Sequence, residues 1–137
     1  MEEKTMIFHY PIFVEFGDID SYGIIHNPMI LEYMERARVK FFLDQGLDIR
    51  PGVAPVGLVV RDINIRLKGQ ITMFNQLDME VTTSDIDEYS FVFNYKIKRD
   101  GKTMVSASTQ MAFIGLESMG LIPIPEEQVE MLKKYEK

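Results

Sequence analysis

The feature that most restricts how this chain can fold is one long amphipathic helix followed almost entirely by segments of period two. Asn27-Pro28 opens the helix. Asn27 suits an N-cap, and Pro28 suits the first helical position, where its missing N–H would be unpaired anyway. Ile30, Tyr33, Met34, Ala37 and Phe41 recur at helical spacing as one apolar stripe. Glu32, Arg36 and Lys40 hold another face in favourable i,i+4 pairing, and Gly46 is a natural stop. After a connection rich in Pro and Gly (Pro51, Gly52, Pro55, Gly57) the period changes. Ile63, Ile65 and Leu67 alternate with polar residues, as do Leu77 to Thr83, Phe91 to Ile97 and Val105 to Phe113. Asp100-Gly101 between the last two runs is a strong hairpin signal. Strands joined by short turns make an antiparallel sheet, and the helix must bury its stripe across it.

The flanks complete this outline. Ile12 to Phe16 reads as a strand buried on much of both faces, and Gly17 to Tyr22 and Gly23 as a loop. Pro125 to Lys137 reads as a short charged helix with Val129, Leu132 and Tyr135 as its apolar edge. The expected class is α+β, an antiparallel five-stranded sheet wrapped around one long central helix, as a single domain over residues 1–137. One helix covers one sheet face, so apolar residues are expected on the opposite face and a second copy as their cover. A homodimer or homotetramer follows.

Composition removes several function classes. The apolar and charged fractions, 46% and 26%, are those of an ordinary globular protein. No apolar run is long enough to span a bilayer, and Met1-Glu2-Glu3-Lys4 does not start like a secretory signal, so the expected location is cytoplasmic, with no membrane partner. A formal net charge of −6 argues against nucleic acid as a partner. With no cysteine and two histidines, His9 and His26, in no ligand-like spacing, neither a metal site nor a thiol nucleophile is expected, and no cofactor is implied.

Chemistry is concentrated between Phe16 and Arg38. Two carboxylates, Asp18 and Asp20, stand in a glycine-flanked loop directly before the helix. A helix N-terminus offers unpaired N–H groups and partial positive charge to a polarised carbonyl oxygen. A carboxylate beside it can attack a thioester or activate water to do so. Asp18 reads as a structural residue that hydrogen-bonds the loop.

The stretch Phe16-Gly17-Asp18-x-Asp20-x-x-Gly23-Ile24, then Asn27-Pro28 and Glu35-x-Ala37-Arg38, resembles the 4-hydroxybenzoyl-CoA thioesterase-like branch of the hotdog-fold superfamily. The resemblance implies a hotdog fold and hydrolysis of an acyl-CoA thioester, with Asp20 as the catalytic carboxylate. It further implies that backbone N–H groups at Ile25, His26 and Asn27 polarise the acyl carbonyl. Tyr22 and Glu35 are candidates for the substrate pocket, although Glu-x-Ala-Arg more often reads as an ion pair than as a base. Relatives can carry basic residues in the turn before the fourth strand, where this chain has Asp85, Asp87 and Glu88. Those acids should repel the phosphates of CoA, which keeps an acyl carrier protein open as the thiol partner. Arg61, Arg66, Lys68, Lys98 and Arg99 remain as possible phosphate contacts. A hotdog dehydratase would need His followed closely by Phe-Pro, and His26 is followed by Asn27-Pro28. A non-catalytic acyl-binding module is the alternative of another class.

Overall fold

The structure, a computed structural model, describes residues 5–50, 52–53 and 55–137. Met1 to Lys4 and, in the connection after the helix, Pro51 lie outside them. The chain runs β1 (Phe8–Phe13), a short 3-10 turn (Phe16–Asp18), α1 (Asn27–Asp44), β2 (Val56–Leu67), β3 (Gln76–Ser84), β4 (Ser90–Arg99), β5 (Lys102–Gly115), β6 (Leu121–Ile122) and α2 (Glu126–Lys133). The strands form one antiparallel sheet in the order β1-β3-β4-β5-β2, with β6 added beside β5.

Alternation sends Leu77, Met79 and Val81 of β3 and Phe91, Phe93, Tyr95 and Ile97 of β4 inward, where all are buried. Helix α1 lays its stripe on them: Ile30, Tyr33, Met34, Ala37, Phe41 and Phe42 are buried. Phe41 sits at the centre, edge-on to Phe8, Phe42, Phe93 and Tyr135 with ring centroids 5.0–5.4 Å apart. Tyr135 arrives from the segment after α2, whose Leu132 is also buried, so the C-terminal residues close one end of the core.

This is the sheet-around-helix arrangement expected, with four local differences. The sheet has a sixth strand, β6, too short at two residues to leave a periodic trace. The first strand begins at Phe8 and ends at Phe13, while Phe16 lies in the 3-10 turn and is exposed. Aromatic density there marks a surface rather than a two-sided strand. The N-cap of α1 is His26, in extended conformation, not Asn27. Met29 N–H closes the first turn on His26 O at 2.8 Å, which puts Asn27 and Pro28 in the first two helical positions. Proline is tolerated there because neither position has an intrahelical N–H partner.

The fourth difference concerns the uncovered sheet face. It is mostly polar: Glu80 stands opposite Lys96, Asp78 opposite Lys98, and Thr82 and Ser108 flank Asn94. Phe13, stacked on Phe74, is an exposed apolar exception at its β1 edge, and the exposed apolar side chains of β2 are on the helix side. Val60, Ile63 and Leu67 of the edge strand β2 register with inward Met111, Thr109 and Val105, yet α1 does not cover them and they stay exposed.

The β4–β5 hairpin turns through Asp100 and Gly101, at φ +50° and +79°. Both are left-handed, as a type I′ turn requires. Gly101→Ala is expected to lower stability by about 1–2 kcal/mol through the Cβ strain of that conformation, read as a lower urea midpoint at unchanged slope.

Candidate active site

The segment between β1 and α1 is a closed network. Asp18 is its anchor: its Oδ2 accepts from Glu15 N–H at 3.0 Å and from the Tyr33 hydroxyl at 2.7 Å, and its carbonyl accepts from His26 N–H at 2.8 Å. Tyr33 is fully buried on α1, so this contact ties the loop to the helix that follows it. Burial, and donation to the Asp18 carboxylate, raise the Tyr33 hydroxyl above the ordinary phenol range.

Asp20 holds the next turn. Asp20 N–H donates to Ile24 O at 2.8 Å, and Gly23 N–H to Asp20 O at 3.1 Å, with Gly23 at φ +79°. The Asp20 Oδ1 accepts from Tyr22 N–H at 2.8 Å and Ile24 N–H at 3.3 Å. Its Oδ2 has no hydrogen-bond partner among the described residues. A half-buried carboxylate held this way is oriented through one oxygen, leaving the other available.

Of the three residues proposed to polarise a carbonyl, two have already used their N–H groups. Ile25 donates to Ile71 O and His26 to Asp18 O, each at 2.8 Å. The Asn27 N–H, first in the helix, has no partner among the described residues and looks out along the positive end of α1. The His26 side chain is exposed and makes no capping bond. Asn27 also borders an apolar cleft in two adjoining lobes that share Asn27, Ile30 and Leu67. One lobe, about 310 Å³, runs over Ile24, Ile25, Ile71 and Val105. The other, about 360 Å³, runs over Pro28, Leu31 and Ile65.

Neither Tyr22 nor Glu35 reaches this cleft within one chain. Tyr22 lies at the loop tip and is largely exposed; it contributes its N–H to Asp20 rather than its ring to a pocket. Glu35 is exposed on α1, eight residues past Asn27 and so roughly 12 Å along the axis. No ion pair joins it to Arg38 among the described residues; Arg38 donates instead to the Tyr95 hydroxyl at 3.3 Å.

The acidic turn before β4 also has a local explanation. Asp87 accepts from the N–H groups of Tyr89 and Ser90 at 2.9 and 2.8 Å, which lowers its pKa and shapes the turn. That turn lies at the opposite end of β3 from Ile71–Asn75, roughly 27 Å along the strand, so it does not face the cleft of its own chain. Nearer the cleft, Arg99 holds the β2–β3 connection through Gln70 O and Asn75 Oδ1, and Lys98 pairs with Glu80. On the outer sheet face His9, Asp78 and Glu80 lie together, with His9 Nδ1 2.7 Å from Asp78 Oδ2. Their close partners are one another and Lys98.

The profile of the thioesterase-like superfamily matches residues 14–132. The chain belongs to that superfamily. The match begins just before the Asp18-to-Asn27 loop and runs into α2. The chain is 24% identical to a 1,4-dihydroxy-2-naphthoyl-CoA hydrolase of Thermosynechococcus vestitus, covering 94% of this chain and 90% of that one. It is 23% identical to the acyl-CoA thioesterase YbgC of Haemophilus influenzae, covering 88% and 90%. Among solved structures, a 1,4-dihydroxy-2-naphthoyl-CoA thioesterase from Synechocystis superposes with a TM-score of 0.84 at 17% identity, over 93% of this chain and 96% of that one.

Tyr33 is the site residue that sequence reasoning missed, because it sits within the apolar stripe. The one available signal was its hydroxyl, since a buried phenol needs a partner. Tyr33→Phe should leave Asp18 Oδ2 without its side-chain donor and cost about 1–3 kcal/mol of stability, measured by chemical denaturation.

Proposed function

We propose that this member of the superfamily is an acyl-CoA thioesterase that uses Asp20 and the N-terminus of α1. The observation that most supports this is the free Asn27 N–H. It opens onto an apolar cleft, next to the turn that holds Asp20 with one oxygen unpaired among the described residues. The thioester carbonyl oxygen would point to Asn27 N–H, with the acyl group along Ile30 and Leu67. Attack at the carbonyl carbon moves its electron pair onto that oxygen, where the N–H and the helix end stabilise it. Collapse breaks the C–S bond and releases CoA thiolate, which departs without needing a proton. The attacking oxygen belongs either to Asp20, giving an anhydride that water then cleaves, or to a water whose proton Asp20 accepts. Both routes yield the carboxylic acid and regenerate Asp20.

The reading extends to a homo-oligomer in the cytoplasm, dimer or tetramer. Strand β2 supports assembly: it is a sheet edge, and none of its residues is buried. Its inward apolar side chains need a cover that one chain does not supply.

The direct test is thiol release from acyl-CoAs of several chain lengths and one aryl-CoA. Asp20→Asn should lower turnover by ~100-fold or more while leaving the fold intact. Near-normal turnover in that variant would remove Asp20 from the mechanism. Acyl length should strengthen inhibition by non-hydrolysable analogues by up to ~0.8 kcal/mol per buried methylene, measured against CoA alone. Tight binding of bare CoA with no gain from the acyl chain would place the main affinity in the nucleotide instead.

A further inference from the structure

The cleft parts the two arms of a thioester. Its lobes meet at Asn27, where the carbonyl would sit, so the acyl group and the thiol arm leave in different directions. One lobe, over Ile71 and Val105, also holds Gly69 and Gln70, and exposed Gln70 brings a side-chain amide to its rim. The thiol arm of CoA carries amide groups that need hydrogen-bonding partners, and this lobe suits it. The other lobe holds Pro28, Ile30, Leu31, Ile65 and Leu67 besides Asn27, and it remains for the acyl group.

That lobe is aliphatic along its length. None of its five apolar side chains is aromatic, and past Asn27 no hydroxyl, amide or charged side chain lines it among the described residues. The unpaired peptide groups of the β2 edge lie in the plane of the sheet, not across the lobe. A hydroxyl carried part-way along would lose water on the protein side and gain no partner. The lobe is also short. It spans Asn27 to Leu31 on α1, one turn and roughly 6 Å, and Leu67 to Ile65 on β2, roughly 7 Å. The next residue in the Leu31 row of α1 is exposed Glu35, which has no cation beside it among the described residues. An extended chain covers that distance with about five methylene groups, and further carbons pass Leu31 toward Glu35 and water.

We propose that the acyl group taken here is an unsubstituted aliphatic chain of about six carbons, selected by Leu31 and Ile65 at the far end of the lobe. This rests on the thioesterase reading above and names the substrate class of that same site. Each methylene up to that length moves from water onto Ile30, Leu67, Ile65 and Leu31, and strengthens binding until the lobe is filled. A hydroxylated aryl group fits worse, for want of a partner for its hydroxyl. An apolar site rejects an added hydroxyl by up to ~100-fold when closed, and by less where one side is open to water.

The test is kcat/KM of the full chain for butanoyl-, hexanoyl-, octanoyl- and decanoyl-CoA, and for benzoyl- and 3-hydroxybenzoyl-CoA. Each value is divided by the rate of that thioester with hydroxide, which removes intrinsic reactivity. It should rise about tenfold from butanoyl to hexanoyl, then stay within ~3-fold to decanoyl. The 3-hydroxybenzoyl thioester should fall about tenfold below the benzoyl one, and both below hexanoyl. Ile65→Gln puts an amide into the lobe, and should bring the hexanoyl-to-butanoyl ratio to within ~3-fold of one and narrow the gap between the aryl pair. If that variant does not fold, Leu31→Asn, at an exposed position, carries the same test. Thiol release from none of these thioesters would overturn the thioesterase reading and this inference with it. Turnover that favours 3-hydroxybenzoyl over benzoyl, or that climbs at one slope to decanoyl, would overturn the substrate class alone. Ratios unmoved by both Ile65→Gln and Leu31→Asn would overturn the assignment of this lobe to the acyl group.

Discussion

Everything in this molecule depends on the burial of α1 against the inner face of the sheet. Phe41 touches rings from β1, β4, its own helix and the C-terminal segment, so four parts of the chain are fixed through one side chain. Each large apolar side chain fully buried along the helix contributes about 1.5–3 kcal/mol. A helix held along its length has a well-placed first turn. The Asn27 N–H is therefore positioned by an element packed along its length, although it lies at the surface.

The loop before the helix is built differently, from hydrogen bonds rather than apolar contact. Asp18 and Asp20 are chemically identical and two residues apart, yet their surroundings separate them. Asp18 is enclosed by Tyr33 and Glu15 N–H and ties the loop to the helix. Asp20 commits one oxygen to its own turn and leaves the other without a partner among the described residues. The peptide groups of Ile25 and His26 are drawn into the same network through Ile71 and Asp18. The network that orders the loop thus also leaves the Asn27 N–H at the helix start without a partner among the described residues.

Apolar exposure follows from strand geometry. Between Val60 and Asp62 the β2–β5 register shifts by one residue at Arg61. The bulge keeps Leu58 and Val60 on the same side as Ile63, Ile65 and Leu67, so the strand presents an apolar inner side along nearly its full length. Central strands pay no such exposure, because α1 lies over them. On the outer face, cross-strand pairs of opposite charge and small hydroxyls let the sheet meet water directly.

The sequence by itself determined the element types and the cluster of candidate residues before the helix. Helical spacing from Ile30 to Phe41, period two in four later runs and Asp100-Gly101 each carry a local physical signature, and Asp18, Asp20 and Asn27 stand out by residue type beside a helix start. Only the tertiary structure decided which amides are already spent, since Ile71 is far from Ile25 in sequence and no local pattern records their bond. It likewise decided that Tyr33 grips Asp18, that Glu35 and Arg38 do not pair within the chain, and that β2 and α1 carry exposed apolar side chains while the centre of the outer sheet face is polar. Periodicity reports that a residue has an apolar side. What that side meets depends on register, on the bulge at Arg61 and on how far one helix reaches across a curved sheet, and those are properties of the packed chain.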